Sequence, residues 1–207
     1  MDFAAPVQSL IPGAQGRLLA VLAETTAELN LRTIARLSGV SLAQASRVMP
    51  ALVELGVVER RDVPPAALFR LVEEHIASRA VLAVARARTT VLQELGSTAA
   101  KLSPAPSSVI IFGSFAQGAA QAESDIDILV VRPDSVDDDD HTWHASLEGW
   151  RHHARRLTGN PVEILEVAAS DATRLLRGRR PLWSDIRRHG VVVHGRSIDE
   201  LAGRRSA

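Results

Sequence analysis

The stretch VIIFGSFAQGAAQAESDIDILVV, residues 109–131, constrains the fold more than any other part of this chain. Two apolar, β-branched runs, SSVIIF (107–112) and DIDILVV (125–131), have the length and composition of buried strands. Gly113 and Ser114 interrupt the first run, and residues 114–122 have helical composition. A strand, a glycine turn, a helix and a second strand belong to a sheet flanked by helices. The pattern continues with a helix over 143–158, a strand at PVEILEV (161–167), a helix at DATRLLRG and an extended piece at GVVVHG (190–195). The acidic run DSVDDDD (134–140) reads as a solvated loop with no specific role.

The chemistry follows from the same residues. A buried strand delivers the chain to Gly113 and Ser114, where a helix begins. A helix start presents free backbone N–H groups and the positive end of the dipole, which together bind phosphate. Gly113 lets a ligand approach the backbone with no Cβ in the way, and the Ser114 hydroxyl adds a hydrogen bond. Asp125 and Asp127 are two apart on a strand, so both carboxylates point to one face while Ile126 and Ile128 point into the core. Paired carboxylates repel each other unless a cation neutralises them. Mg²⁺ takes oxygen ligands and often uses one or two carboxylates plus substrate phosphates. A third carboxylate is expected on a neighbouring strand. Glu163 is preferred, and Glu166, three residues on and so on the other face, is held in reserve.

Here a resemblance adds to the residue reading. GSFAQGAAQAESDID (113–127) is similar to the motif of the DNA-polymerase-β-like nucleotidyltransferase superfamily. That motif has Gly-Ser, a Gly four residues after the Ser, and an acidic pair split by one apolar residue. The chain most resembles the minimal nucleotidyltransferases of prokaryotes, some of which carry an N-terminal winged helix, over roughly residues 75–196. The resemblance implies that Gly113 and Ser114, with Gly118 and Ser124, contact a nucleoside triphosphate. It implies that Asp125 and Asp127 hold Mg²⁺ (or Mn²⁺), and that Glu163 completes the triad and helps activate an acceptor hydroxyl. The third acid of the family is commonly Asp, and here a Glu stands in its place. The implied reaction moves a nucleoside monophosphate from an NTP, ATP foremost, to a hydroxyl of a protein or small molecule. Antitoxin-like members adenylylate a toxin-like protein partner.

The first third of the chain has a different order. Leu18, Leu19, Val21 and Leu22 have helical spacing over 15–27, LRTIARLS (31–38) is a short helix stopped at Gly39, and Ser41 caps a helix closed at Gly56. Pro50 is expected to kink or weaken that helix. Val57–Arg61 and Ala67–Leu71 read as strands joined by a turn through Asp62–Pro65. LRTIARLSGVSLAQASRVMPALVELGVVER resembles the winged helix-turn-helix regulators of bacteria and archaea, over about residues 15–72. In such folds the third helix enters the major groove. Ser41, Gln44, Ser46 and Arg47 would then be its exposed residues, with Gln44 and Arg47 reading bases, and Arg60 and Arg61 in the wing would reach phosphates. A single copy would bind weakly, so a homodimer is expected.

The expected architecture is α+β. A winged helix-turn-helix domain (1–74) precedes a nucleotidyltransferase-like domain (75–207) with a small mixed sheet flanked by helices. One long amphipathic helix over 72–102, ended by Gly96 and SPAPSS, links them. Zero formal net charge predicts no global pull toward nucleic acid or anionic lipid. The absence of cysteine excludes disulfides and thiolate metal sites and fits a cytoplasmic location. No segment is apolar enough for a membrane span, and MDFAAPVQSLIPGAQGR lacks the pattern of a signal peptide. The alternative function is a winged-helix transcriptional regulator whose second domain only binds nucleotide or is inactive.

Overall fold

Two units, residues 5–87 and residues 1–4 with 88 onward, make up the computed structural model, which describes residues 1–203. The fold is mixed α+β, with helices and a hairpin sheet in the first unit and a mixed sheet flanked by helices in the second. Among the described residues, no helix is long and apolar enough to cross a membrane.

In the first unit, α1 (Pro6–Leu10) and α2 (Gly13–Ala23) precede a two-residue strand β1 (Leu29–Asn30). Asn30 then caps α3 (Leu31–Ser38) by accepting from Thr33 N at 2.8 Å, and Gly39 ends it at φ +64°. Ser41 caps α4 (Leu42–Glu54) by accepting from Gln44 N. The expected hairpin follows as β2 (Val58–Val63) and β3 (Ala66–Leu71), and β1 adds to β3 on its other side. This is the helix-turn-helix and wing arrangement expected from the sequence. α4 runs on through Pro50, which is exposed, as is Ser46, whose carbonyl loses its helical donor there. Leu18, Leu22, Ile34, Ala45, Met49, Leu52 and Phe69 form the core. Leu18 is fully buried, so Leu18→Ala is expected to cost about 2–5 kcal/mol of this unit's stability, measured by denaturant unfolding followed through hydrogen exchange of residues 5–87.

The expected single helix over 72–102 is two helices. α5 (Ile76–Ala85) starts after His75, whose ring accepts from Ala77 N, and α6 (Ala87–Ala99) begins beyond Arg86. Arg86 leaves helical geometry at φ −92° and ψ 9°. The break has a packing reason. Val81 belongs to the core of the first unit, whereas Val91, Leu95 and Ala99 are buried in the second. Gly96 does not end α6. A Cβ there would run into the Val193 carbonyl, so glycine lets the helix lie close against the sheet.

The sheet of the second unit has the order β6-β5-β4-β7. β4 (Ser108–Phe112) runs antiparallel to both β5 (Ile126–Arg132) and β7 (Val191–Gly195), and β5 is parallel to β6 (Val162–Ala168). Parallel pairing requires a crossover, which α8 (His141–Thr158) provides. The acidic loop before it has roles that composition did not reveal. Asp140 caps α8 by accepting from Trp143 N, and Asp134 accepts from Ser170 N. Ile110, Phe112, Leu129, Val131 and Leu165 pack against α9 (Ala169–Arg177), α10 (Pro181–His189) and α11 (Ile198–Leu201). Val109, Ile111, Ile126, Ile128 and Val130 alternate with them and are fully buried on the other face. α6 and α8, tied by a 2.9 Å hydrogen bond from Trp150 Nε1 to Thr98 Oγ1, cover that side.

Candidate nucleotide and metal site

The site is built where β4 ends and β5 and β6 begin. β4 delivers the chain to α7 (Gly113–Ala116), a single turn rather than the helix expected over 114–122. Gly118, at φ +73°, ends it at once, and Ala119 N closes back on the Ser114 carbonyl at 2.9 Å. Four residues carry little macrodipole, so a phosphate here would have to be met by the turn's local amides and the Ser114 hydroxyl. Arg88 braces it from the far end by donating to the Phe115 and Ala116 carbonyls.

Asp127 lies opposite Phe112 in the antiparallel register of β4 and opposite Glu163 in the parallel register of β5 and β6. All three therefore share one sheet face. Asp127 also touches the space above Gly113, because a Cβ on Gly113 would strike Asp127 Oδ2 and lie 3.1 Å from its Cγ. Gly113 sits at φ +66°, a conformation that glycine adopts without penalty. Asp125 precedes β5 and is exposed, so it stands on the approach to the strand rather than within it. Burial pushes the Asp127 carboxyl above its ordinary range, and the charges of Asp125, Glu163 and Asp185 add to the effect. No motif in the sequence marks Asp185 as part of this group. It lies on α10 and is hydrogen bonded to His189 at 2.9 Å.

Four acids thus bear on one partly buried position, the electrostatic condition that a divalent cation relieves. Among the described residues, no three His, Cys, Asp or Glu side chains close into a metal cage. Mg²⁺ fits such an open set, because it commonly completes its shell with substrate phosphates and water. Asp125, Asp127 and Glu163 are the residues that would hold it. Glu166 is committed elsewhere, in a 2.7 Å ion pair with Arg132.

Of the remaining sequence-predicted residues, Gly118 and Ser124 lie on the loop between α7 and β5. Ser124 Oγ accepts from Gln121 N at 2.9 Å, so that hydroxyl shapes the loop. In the first unit, Gln44 and Arg47 are exposed on α4. The Ser41 hydroxyl is occupied as the helix cap. The wing arginines are ion-paired, Arg60 with Asp62 and Arg61 with Glu28, on exposed surface.

A family model of the nucleotidyltransferase domain matches residues 92–172. The chain carries a nucleotidyltransferase domain. A model of the IclR helix-turn-helix domain matches residues 16–62, ahead of it. No curated protein and no solved structure matches the chain. The nucleotidyltransferase match contains Gly113, Ser114, Asp125, Asp127 and Glu163, and the helix-turn-helix match contains α3, α4 and all but the last residue of the first wing strand.

Proposed function

We propose that the nucleotidyltransferase domain transfers a nucleoside monophosphate from an NTP, ATP foremost, to a hydroxyl on a protein or small molecule. The helix-turn-helix domain serves as its DNA-binding, regulatory partner. The observation that carries this reading is Asp127, aligned with Glu163 and set against the Gly113 turn. The Gly113–Ser114 amides and the Ser114 hydroxyl hold the triphosphate. Asp125, Asp127 and Glu163 hold Mg²⁺ or Mn²⁺, which supplies charge neutralisation at the attacking and leaving oxygens. Glu163, exposed at the edge strand, takes the proton of the acceptor hydroxyl. The acceptor oxygen bonds to the α-phosphorus, the bond to the β-phosphate oxygen breaks, and pyrophosphate leaves. The acceptor is best sought in a toxin-like protein partner, in the cytoplasm where NTP and Mg²⁺ abound.

The test is incubation with α-labelled ATP, Mg²⁺ and candidate partner proteins. Label on the partner is expected from the wild type and not from Asp125→Asn/Asp127→Asn. No transfer together with no Mg²⁺-dependent ATP binding would end the proposal.

A second reading is favoured by the helix-turn-helix match and the exposed α4 face. In it the protein acts as a regulator, most effectively as a homodimer, and the second domain only senses nucleotide. α4 then carries base contacts through Gln44 and Arg47, while Arg60 and Arg61 must exchange their carboxylate partners for phosphates. Arg47→Ala is expected to weaken DNA binding by about 1–3 kcal/mol if the side chain reads a base. If it meets a phosphate instead, the salt dependence loses about one unit of slope. Gel shifts on the protein's own promoter region at two salt concentrations distinguish the two. No salt-sensitive binding to any DNA would remove this reading.

A further inference from the structure

Asn160 is 1% exposed, yet it carries a full set of polar groups. Its Nδ2 donates to the carbonyls of Gln121, Ala122 and Ser124 at 3.2, 3.3 and 3.0 Å. An amide has two hydrogens, so one of these bonds is shared. Its Oδ1 accepts from the Met1 nitrogen at 2.7 Å, and its own N–H donates to Thr158 Oγ1. Residues 1–4 close the other side of the same loop. Phe3 N and Ala4 N donate to the Ala120 carbonyl, and the Phe3 ring meets Phe115 edge-on at 4.8 Å.

The position of these bonds gives them meaning. The Ser124 carbonyl belongs to the peptide group just before Asp125. The peptide group just after Asp125 is held as well, because Ile126 N donates to the Pro161 carbonyl at 2.8 Å. Two consecutive residues, Asn160 and Pro161, therefore grip the backbone on both sides of an exposed carboxylate. Two residues later the same segment supplies Glu163, in register with Asp127. A short stretch thus sets all three acids relative to one another.

We propose that Asn160 is a positioning residue for metal and nucleotide binding, acting through the backbone on which Asp125 is mounted. The inference rests on the proposed function and adds a residue that touches neither ligand. Groups that orient metal ligands from behind typically contribute 10–100-fold to metal affinity. Asn160→Leu keeps the approximate size and the neutrality of the side chain while removing both its donor and its acceptor. It is expected to weaken binding of Mn²⁺·ATP by about 10–100-fold, read by titration calorimetry on the full chain. A double-mutant cycle with Asp125→Asn separates positioning from general loosening. In the Asp125→Asn background the same replacement should change affinity by less than about twofold. Asn160→Ser, which leaves room for water, runs through the same cycle should the leucine variant melt below the assay temperature. Equal losses in both backgrounds, or no loss in the wild-type background, would overturn the role of Asn160 alone. Failure of the wild type to bind Mn²⁺·ATP, or indifference of that binding to Asp125→Asn, would overturn both the site and this inference.

Discussion

Replacing Asp127 with asparagine is expected to cut nucleotidyl transfer on the order of 10³-fold or more, while the metal-free protein becomes more stable. Asp127 is the acid on which the others converge, and its isostere keeps the shape but not the charge. A metal-held transition state draws several kcal/mol from such a ligand, and each 1.36 kcal/mol is a factor of ten in rate. The stability gain has the opposite origin. Burial and the charges of Asp125, Glu163 and Asp185 hold the folded Asp127 pKa above its ordinary value of 3.8. Between the unfolded and folded values the folded chain binds more protons, so stability falls as pH rises through that window and stays reduced above it. The neutral amide of the variant carries no such loss. At neutral pH without metal, Asp127→Asn should therefore melt above the wild type, and the difference should vanish below the ordinary aspartate value. Mg²⁺ with ATP at about 100 times Kd should add about 2.7 kcal/mol to the wild type and leave the variant unchanged. Thermal melts with and without Mg²⁺·ATP at several pH values, beside label transfer, check all of this. A variant that melts lower than the wild type at neutral pH would contradict the electrostatic account.

Much of this arrangement was legible because strand geometry is regular. The two-residue spacing of strand side chains puts Asp127 on the opposite face from Ile126 and Ile128. The same parity separates Glu163 from Glu166, and the structure pairs Glu166 with Arg132. Asp125 was harder to place, since strand parity says nothing about a residue that stands just before the strand. Local signals also set Gly39 and Ser41 at the helix ends. What escaped depends on distant partners. Asp185 comes to Asp127 only because α10 packs on α7 and β4, although Pro181 followed by Trp183 and Ile186 carries a helix start and an inward face. Asn160 sits between a helix-ending glycine and a proline, a context that reads as a turn, and its carbonyl partners lie 36–39 residues away. The continuous amphipathic pattern over 72–102 hid a break, because helical periodicity does not record which of two cores a residue enters. The wing arginines looked available for phosphate until Glu28, 33 residues from Arg61, took one of them.

Gly113→Ala should be the most damaging change at the site that leaves every polar group in place. Two costs add at this position. An L-residue in the left-handed region carries a penalty of about 1–2 kcal/mol. The new methyl group also enters the volume of the Asp127 carboxylate, so that carboxylate or the turn must move. A displacement near 1 Å in a catalytic arrangement can cost about 10²-fold in rate, and a loss of that size in label transfer is expected. Gly118 separates the two costs, since it has a similar φ of +73° but a Cβ there would meet only the Arg88 side chain, in ordinary van der Waals contact at 3.9 Å. Gly118→Ala should thus destabilise the domain by the backbone term alone, and Gly113→Ala by more. The excess should shrink when Asp127 is also alanine, because the colliding oxygen is then gone and the two changes become non-additive. Chemical denaturation of the four proteins of that cycle, with Gly118→Ala as reference, supplies the numbers. If Gly113→Ala costs no more than Gly118→Ala, or if its cost is unchanged in the Asp127→Ala background, the close approach of the turn to this carboxylate is not what the glycine serves.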